Sequence, residues 1–355
     1  MHNELHLYHQ KKKKKNLLIF TVMGGLLVLA CLFFTGLGFI NIPPGEIARL
    51  IWSVFPFGGE AAAGIDEVHR AVLLDVRLPR IVIAVIVGAG LASAGAVFQG
   101  LLMNPLADPY TLGVSTGAAF GASSAIFFAV SLPGPLGVLT IPLFALAGAL
   151  LALGAVYKVA LINQTLAVTN LILAGVIISA ILSAAISFLK SMAGEGVGAM
   201  VFWLMGSFSA RGWSHVLLCL PPVLLGISIC CYYADDLNIL SLGIRPARQL
   251  GVNDRLVTTI LLITSSLITA ACVAVAGIIG FVGLIVPHLM RLLVGPDHRV
   301  LIPLSALGGA VLMTAADALA KNLLSGEIPV GILTTLLGGP FFCYIFRIKA
   351  KKQVY

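Results

Sequence analysis

Residues 80–103 read RIVIAVIVGAGLASAGAVFQGLLM, with no charge after Arg80. A helix needs about 20 apolar residues to cross the hydrocarbon of a bilayer, and this run supplies them. Nine more runs of the same kind lie at 17–40, 114–132, 138–160, 168–190, 213–234, 256–276, 278–294, 301–320 and 328–347. Only helices and closed barrels satisfy the backbone in lipid, and these runs are too continuous for alternating barrel strands. The sequence therefore predicts an all-α integral membrane protein with about ten transmembrane helices in a compact bundle. Ten spans divide into five plus five. An odd number per half predicts that one half is inverted against the other. The boundary at Gly277 is the tightest: it is either a sharp turn at the membrane surface, or one of its two spans is shorter than drawn.

The 355-residue composition agrees: 59% hydrophobic and 10% charged, with a mean hydropathy of +1.05. Soluble domains carry about a quarter charged residues. A soluble enzyme, a disordered chain and a nucleic-acid-binding partner are excluded. The net charge of +8 is read as topology. Lys11 to Lys15, Lys349, Lys351 and Lys352 crowd the two ends, and an even span count puts both ends on one side. Both termini are expected in the cytoplasm, beside an anionic leaflet of membrane lipid. With ten spans, 15 of the 22 basic residues fall on that side and 7 on the other. The expected division is a basic tail over 1–16, one transmembrane domain over 17–347 and a second basic tail over 348–355. The run 17–40 is too long for a signal-peptide core and is read as a retained first span. The six cysteines form no CxxC pair and predict neither a disulfide framework nor a metal site.

Catalytic motifs are absent: there is no H-E-x-x-H, G-x-S-x-G or G-x-x-x-x-G-K-[ST]. No catalytic residue, metal ligand or cofactor site is expected on this chain. Charges in the middle of spans would mark an ion pathway, and the spans hold almost none. Asp317 and Lys321 stand four residues apart and could pair. This scarcity argues against an ion-coupled secondary transporter, the alternative of a different class, and favours an energy source outside the bilayer.

Three polar constellations stand out. Arg77-Leu78-Pro79-Arg80 at one mouth could be a basic pad for an acidic partner surface. Asn104-Pro105-Leu106-Ala107-Asp108-Pro109 reads as a rigid turn in a tight loop. The stretch 245–252, with Pro246 in a first turn and Gly251 as a stop, reads as a short helix outside the membrane. Small residues such as Gly88, Gly95 and Gly100 predict close helix packing.

Over roughly 70–347, these residues resemble the permease subunit of the ABC importers for iron-siderophores, haem and cobalamin. The resemblance rests on Arg77 to Arg80 with Gln99-Gly100, then on Asn104, Pro105, Asp108, Pro109 and Gly113. It continues through Trp203-Leu204-Met205-Gly206-Ser207, Ile279 to Pro287 and His288, Asp297-His298-Arg299, and Glu327 to Gly331. It implies alternating access, a second permease copy in a homodimer, two cytoplasmic ABC ATPases that bind ATP and magnesium, and an extracytoplasmic solute-binding protein. It implies docking of that protein at Arg77, Arg80 and Lys321. Coupling to the ATPase would run through Arg245, Ala247, Arg248, Leu250, Gly251 and Val252. An inner gate and pathway would involve Thr169, Asn170, Trp203, Met205 and Ser207. The implied cargo is an iron-siderophore or haem, with cobalamin as the alternative, across the bacterial cytoplasmic membrane. Lys321 stands where the family often has arginine.

Overall fold

Backbone polar groups inside hydrocarbon must pair within their own segment or be covered by protein. The computed structural model, which describes residues 2–38, 40–53, 63–162, 165–166, 168–322 and 327–353, uses both solutions. Helix α1 (His2–Gly36) carries the lysine tract straight into the first span. The amphipathic α2 (Pro44–Ser53) buries Ile47 and Leu50 outside the main bundle, against Ile42 and Leu73. Helix α3 (Glu67–Ala71) is capped by the Asp66 carboxylate. It runs through a wide helical stretch, Val72–Arg77, into α4 (Leu78–Leu101).

Then come α5 (Val114–Phe127) and α6 (Thr140–Ala160). A two-residue antiparallel pair, β1 (Leu161–Ile162) and β2 (Thr165–Leu166), follows. The chain continues as α7 (Val168–Met192), α8 (Val197–Leu204) and α9 (Trp213–Tyr232). Two short helices come next, α10 (Ala234–Leu240) and α11 (Ile244–Gln249). The last four are α12 (Asp254–Ala276), α13 (Val282–Val294), α14 (His298–Asn322) and α15 (Val330–Gln353).

Among the described residues, the ten spans are α1, α4 to α7, α9 and α12 to α15. Seven of these are long and apolar enough to cross a membrane, and α5, α13 and the apolar part of α15 are shorter. Helix α4 is the hub, packing on α9, α12, α13 and α14. Glycine makes those approaches possible: a Cβ on Gly88 would overlap the Gly309 carbonyl, and one on Gly95 the Gly283 carbonyl.

The structure settles one expectation and extends another. Of the two alternatives at the Gly277 junction, it takes the shorter span. Residues 277–281 form a non-helical stretch packed inside the protein, with Ile279 buried, and α13 is the shortened span. Gly277 adopts φ +73, and a Cβ there would overlap the Trp203 carbonyl. The Asn104–Gly113 stretch is likewise more than an end loop. Residues 102–108 turn the chain, but 109–113 re-enter the bundle. Pro109 packs on Gly283, and Gly113, at φ +74, packs on Ser179 of α7. Such breaks survive at membrane depth because protein covers them. They precede the third and the eighth span, the same place in each five-span half.

Candidate functional site

Helix α14 is 25 residues long, so its ends lie about 37 Å apart. One end meets Arg77 and Arg80, and the other meets α10. The candidate site is these two ends and the path between them.

At the arginine end, Arg80 makes a bidentate pair with Asp317: Nε to Oδ2 at 2.8 Å and Nη2 to Oδ1 at 3.0 Å. Its Nη1 donates to Glu327 Oε1 at 2.9 Å. Burial works to raise the Glu327 carboxyl, and the Arg80 charge and hydrogen bond outweigh it, so Glu327 stays below the usual carboxylate range. Arg77 donates to the carbonyl oxygens of Thr35 and Ile40, tying α4 to the end of α1. Both arginines are buried, at 3% and 8% exposure. The basic pad expected at Arg77 and Arg80 is thus buried in this chain, with both guanidinium groups bonded within it. The expected Asp317–Lys321 pair is replaced too, because Arg80 takes both Asp317 oxygens. Lys321 has no ion pair among the described residues. It flanks a cleft of about 20 Å³ with Arg77, Arg80 and Asp317, room for about one water.

At the helical-loop end, α11 turns on Gly251 at φ +85. Ala247 is fully buried and Val252 nearly so; the Val252 amide donates to the Ala247 carbonyl at 3.0 Å. Arg248 pairs with Asp254 at 2.8 Å. Leu250, at 63% exposure, and Arg245 face outward. The α13–α14 junction is clamped beside it. Asp297 accepts from Arg299 at 2.9 Å and from Asn238 at 2.8 Å. These bonds, Arg299 foremost, hold its carboxyl down at about 2.

Between the ends, the expected pathway residues separate. Thr169 is exposed and Asn170 half-buried at the start of α7, at the helical-loop end. Trp203, Met205 and Ser207 lie beyond its other end. Trp203 and Ser207 are buried, and Met205 is exposed. The Ser207 amide donates to the Ala276 carbonyl at 2.8 Å, and the Gly331 amide to the Gly206 carbonyl at 3.1 Å. That joins the ends of α8 and α12 to the start of α15. Nearby, the two breaks meet: the Tyr110 hydroxyl donates to the Ile279 carbonyl at 2.7 Å.

Sequence reasoning missed this tie and a second one. Gln99 donates to the carbonyls of Gly283 and Leu284 and accepts from Arg291 Nη1 at 2.9 Å. An amide inside an otherwise apolar run was the available signal. Of the turn motif, Asn104 caps its own turn by accepting from the Leu106 amide at 2.9 Å. Asp108 accepts from the Tyr110 amide at 3.0 Å. Pro105 is half-buried on that turn. Pro287 and His288 are buried within α13.

The profile of the FecCD transport family matches residues 13–348. The chain belongs to the FecCD transport family. It is 44% identical over 284 residues to the cobalamin import system permease protein of Halobacterium salinarum, covering 80% of this chain and 75% of that one. It is 38% identical over 331 residues to the hemin transport system permease protein of Yersinia pestis, covering 91% and 94%. A solved inward-facing structure of a metal-chelate type ABC transporter superposes with a TM-score of 0.80 at 35% identity, over 93% of this chain and 98% of that one. As a FecCD member, the chain is a multi-span ABC transporter permease, the non-catalytic membrane subunit.

Proposed function

We propose that this permease is the conduit of an ATP-driven importer that moves a bulky metal chelate, an iron-siderophore or haem, across the bacterial cytoplasmic membrane by alternating access. Cobalamin carried by the same mechanism is the second reading, favoured by the 44% identity to a cobalamin permease. The observation that carries the proposal is the segregation of charge. No charged residue occurs over 81–101, 256–276, 300–316 or 330–346, while the two ends carry dissimilar polar machinery.

The helical-loop end faces the cytoplasm in this reading, in keeping with the positive-inside bias, and both termini lie there. Two ABC ATPases, which bind and hydrolyse ATP with magnesium, dock on α10 and α11. Arg245, Arg248 and Leu250 form the contact, while Ala247, Gly251 and Val252 hold its shape. An extracytoplasmic binding protein docks at the arginine end. Lys321 meets its acidic surface, and the clamped Arg77 and Arg80 lie just beneath. A second copy packs against the apolar faces of α7 and α15, where Ile181, Phe188 and Leu336 are exposed, so that a homodimer encloses the path. Thr169 and Asn170 stand at its cytoplasmic gate and Trp203, Met205 and Ser207 near its outer mouth. The permease supplies differential contacts in two states, which is how partners couple to movement.

Proteoliposomes holding permease, ATPase and binding protein test this with haem, a ferric siderophore and cobalamin. Uptake is expected to require all three proteins and ATP. Accumulation by the permease alone on an ion gradient would overturn the reading in favour of a secondary transporter.

A further inference from the structure

A cavity of about 790 Å³ opens at the helical-loop end, between Lys12 of α1, the last turn of α4, α10 and the α13–α14 junction. That is the size range of small-molecule sites. It adjoins α10, but its cations are not those of the coupling contact proposed above, Arg245 and Arg248 of α11, nor those of the docking cluster. Three cations line it: Lys12, Arg291 and Arg299. Its carboxylate, Asp297, is already committed to Arg299 and Asn238. Arg299 also reaches the exposed Asp235, at 3.3 Å.

Arg291 is different. It faces no carboxylate among the described residues, and its one hydrogen bond there runs to Gln99. Gln99 is itself pinned by two α13 carbonyls, so the guanidinium is fixed on the wall while its other donors stay uncommitted. Lys12 is exposed and has no ion pair among the described residues. Two cations on one cavity thus have no ion pair among the described residues. Its rim is apolar: Met103, Leu242 and Leu292 line it at 61%, 67% and 70% exposure. Cations and exposed apolar residues on one wall, at the ends of transmembrane helices, are complementary to an amphiphile. Basic pockets between transmembrane helices recognise phosphate headgroups in this way.

We propose that this cavity binds the phosphate headgroup of an anionic membrane lipid, with Lys12 and Arg291 as its charge partners and the rim residues along its acyl chains. The site does not depend on which cargo is carried, and it borders the α10 surface proposed above for the ATPase.

The test is native mass spectrometry of the purified full chain with added phosphatidylglycerol or phosphatidylcholine, alongside a thermal-shift series with each lipid and with inorganic phosphate. Phosphatidylglycerol is expected to be retained and to raise Tm, with phosphatidylcholine inert. Lys12→Gln should weaken phosphatidylglycerol retention about fivefold, the effect of removing one surface cation, and Lys12→Arg should restore it. Arg291→Gln should act in the same direction. If that variant fails to fold, the exposed Lys12 pair still decides. Equal retention of the two lipids, or retention indifferent to Lys12→Gln, overturns the proposal. Stabilisation by inorganic phosphate that displaces the lipid overturns it as well, because the site would then serve a free anion.

Discussion

Arg80 and Asp317 are joined by two parallel hydrogen bonds, at 2.8 and 3.0 Å, that staple α4 to α14 at the arginine end. Both side chains are about one-tenth exposed, and Arg80 has Glu327 as a second carboxylate. Removing one partner of a buried pair costs about 3–5 kcal/mol when the other is left desolvated and unpaired. Asp317→Asn leaves Arg80 paired with Glu327, and is expected to lower Tm in detergent by less than that full cost would. The exchange Arg80→Asp with Asp317→Arg should recover part of the loss, and a Tm unchanged by Asp317→Asn would show that the staple does not form.

This staple separates two effects that sequence alone merges. Lys321→Glu should weaken association with the binding protein, most at low salt, while leaving stability within about 0.5 kcal/mol of the parent. Arg80→Glu should act mainly on folding. Binding measured by surface plasmon resonance at two ionic strengths, beside Tm, distinguishes them.

Gly95 packs so closely on Gly283 that any side chain must push α13 away from α4. Overpacking of this kind costs about 1–3 kcal/mol or more. Gly95→Leu should reduce the folded yield sharply on size-exclusion chromatography, whereas Gly154→Leu, where a Cβ meets nothing, should not.

Leu250 is exposed at the tip of the helical loop, and its truncation removes no internal packing. Leu250→Ala should leave Tm unaltered and reduce stimulation of the ATPase by the permease, measured as phosphate release in the assembled complex. Normal stimulation would remove Leu250 from the coupling contact.

Asp297 has its folded value depressed to about 2, against roughly 3.9 unfolded. A depressed carboxyl contributes stability above its unfolded value and loses it as pH falls towards the folded one. Wild type and Asp297→Asn should therefore differ in stability by a constant amount from pH 7 to about 4 and converge between about 4 and 2. Chemical denaturation across that range reads it out.

Much of this architecture was legible because lipid leaves the backbone few choices. Ten runs gave ten helices, and Gly251 ended α11 where a left-handed stop was expected. Arg77 and Arg80 were harder. Sequence places them at a mouth, but only the packing of α14 reveals that Asp317 and Glu327 claim Arg80. The 109–113 break was opaque, since hydropathy registers an apolar residue whether its backbone is coiled or extended; at Gly277 the crowding of two runs signalled a shortened span but not which of the two it was. The Gln99–Arg291 tie spans 192 positions, a distance that no local pattern encodes.

Tyr110 and Ile279 have a broader consequence. A continuous helix turns as one rod, since its ladder of internal bonds resists bending. Where two spans are interrupted at facing points and fastened by a single phenol, a small tilt of α13 strains only five linking residues instead of a whole rod. Gly283 still seats the start of α13 on Gly95 of α4, so any such tilt turns about that glycine contact, and Tyr110→Phe should loosen the tie without dismantling the packing around it.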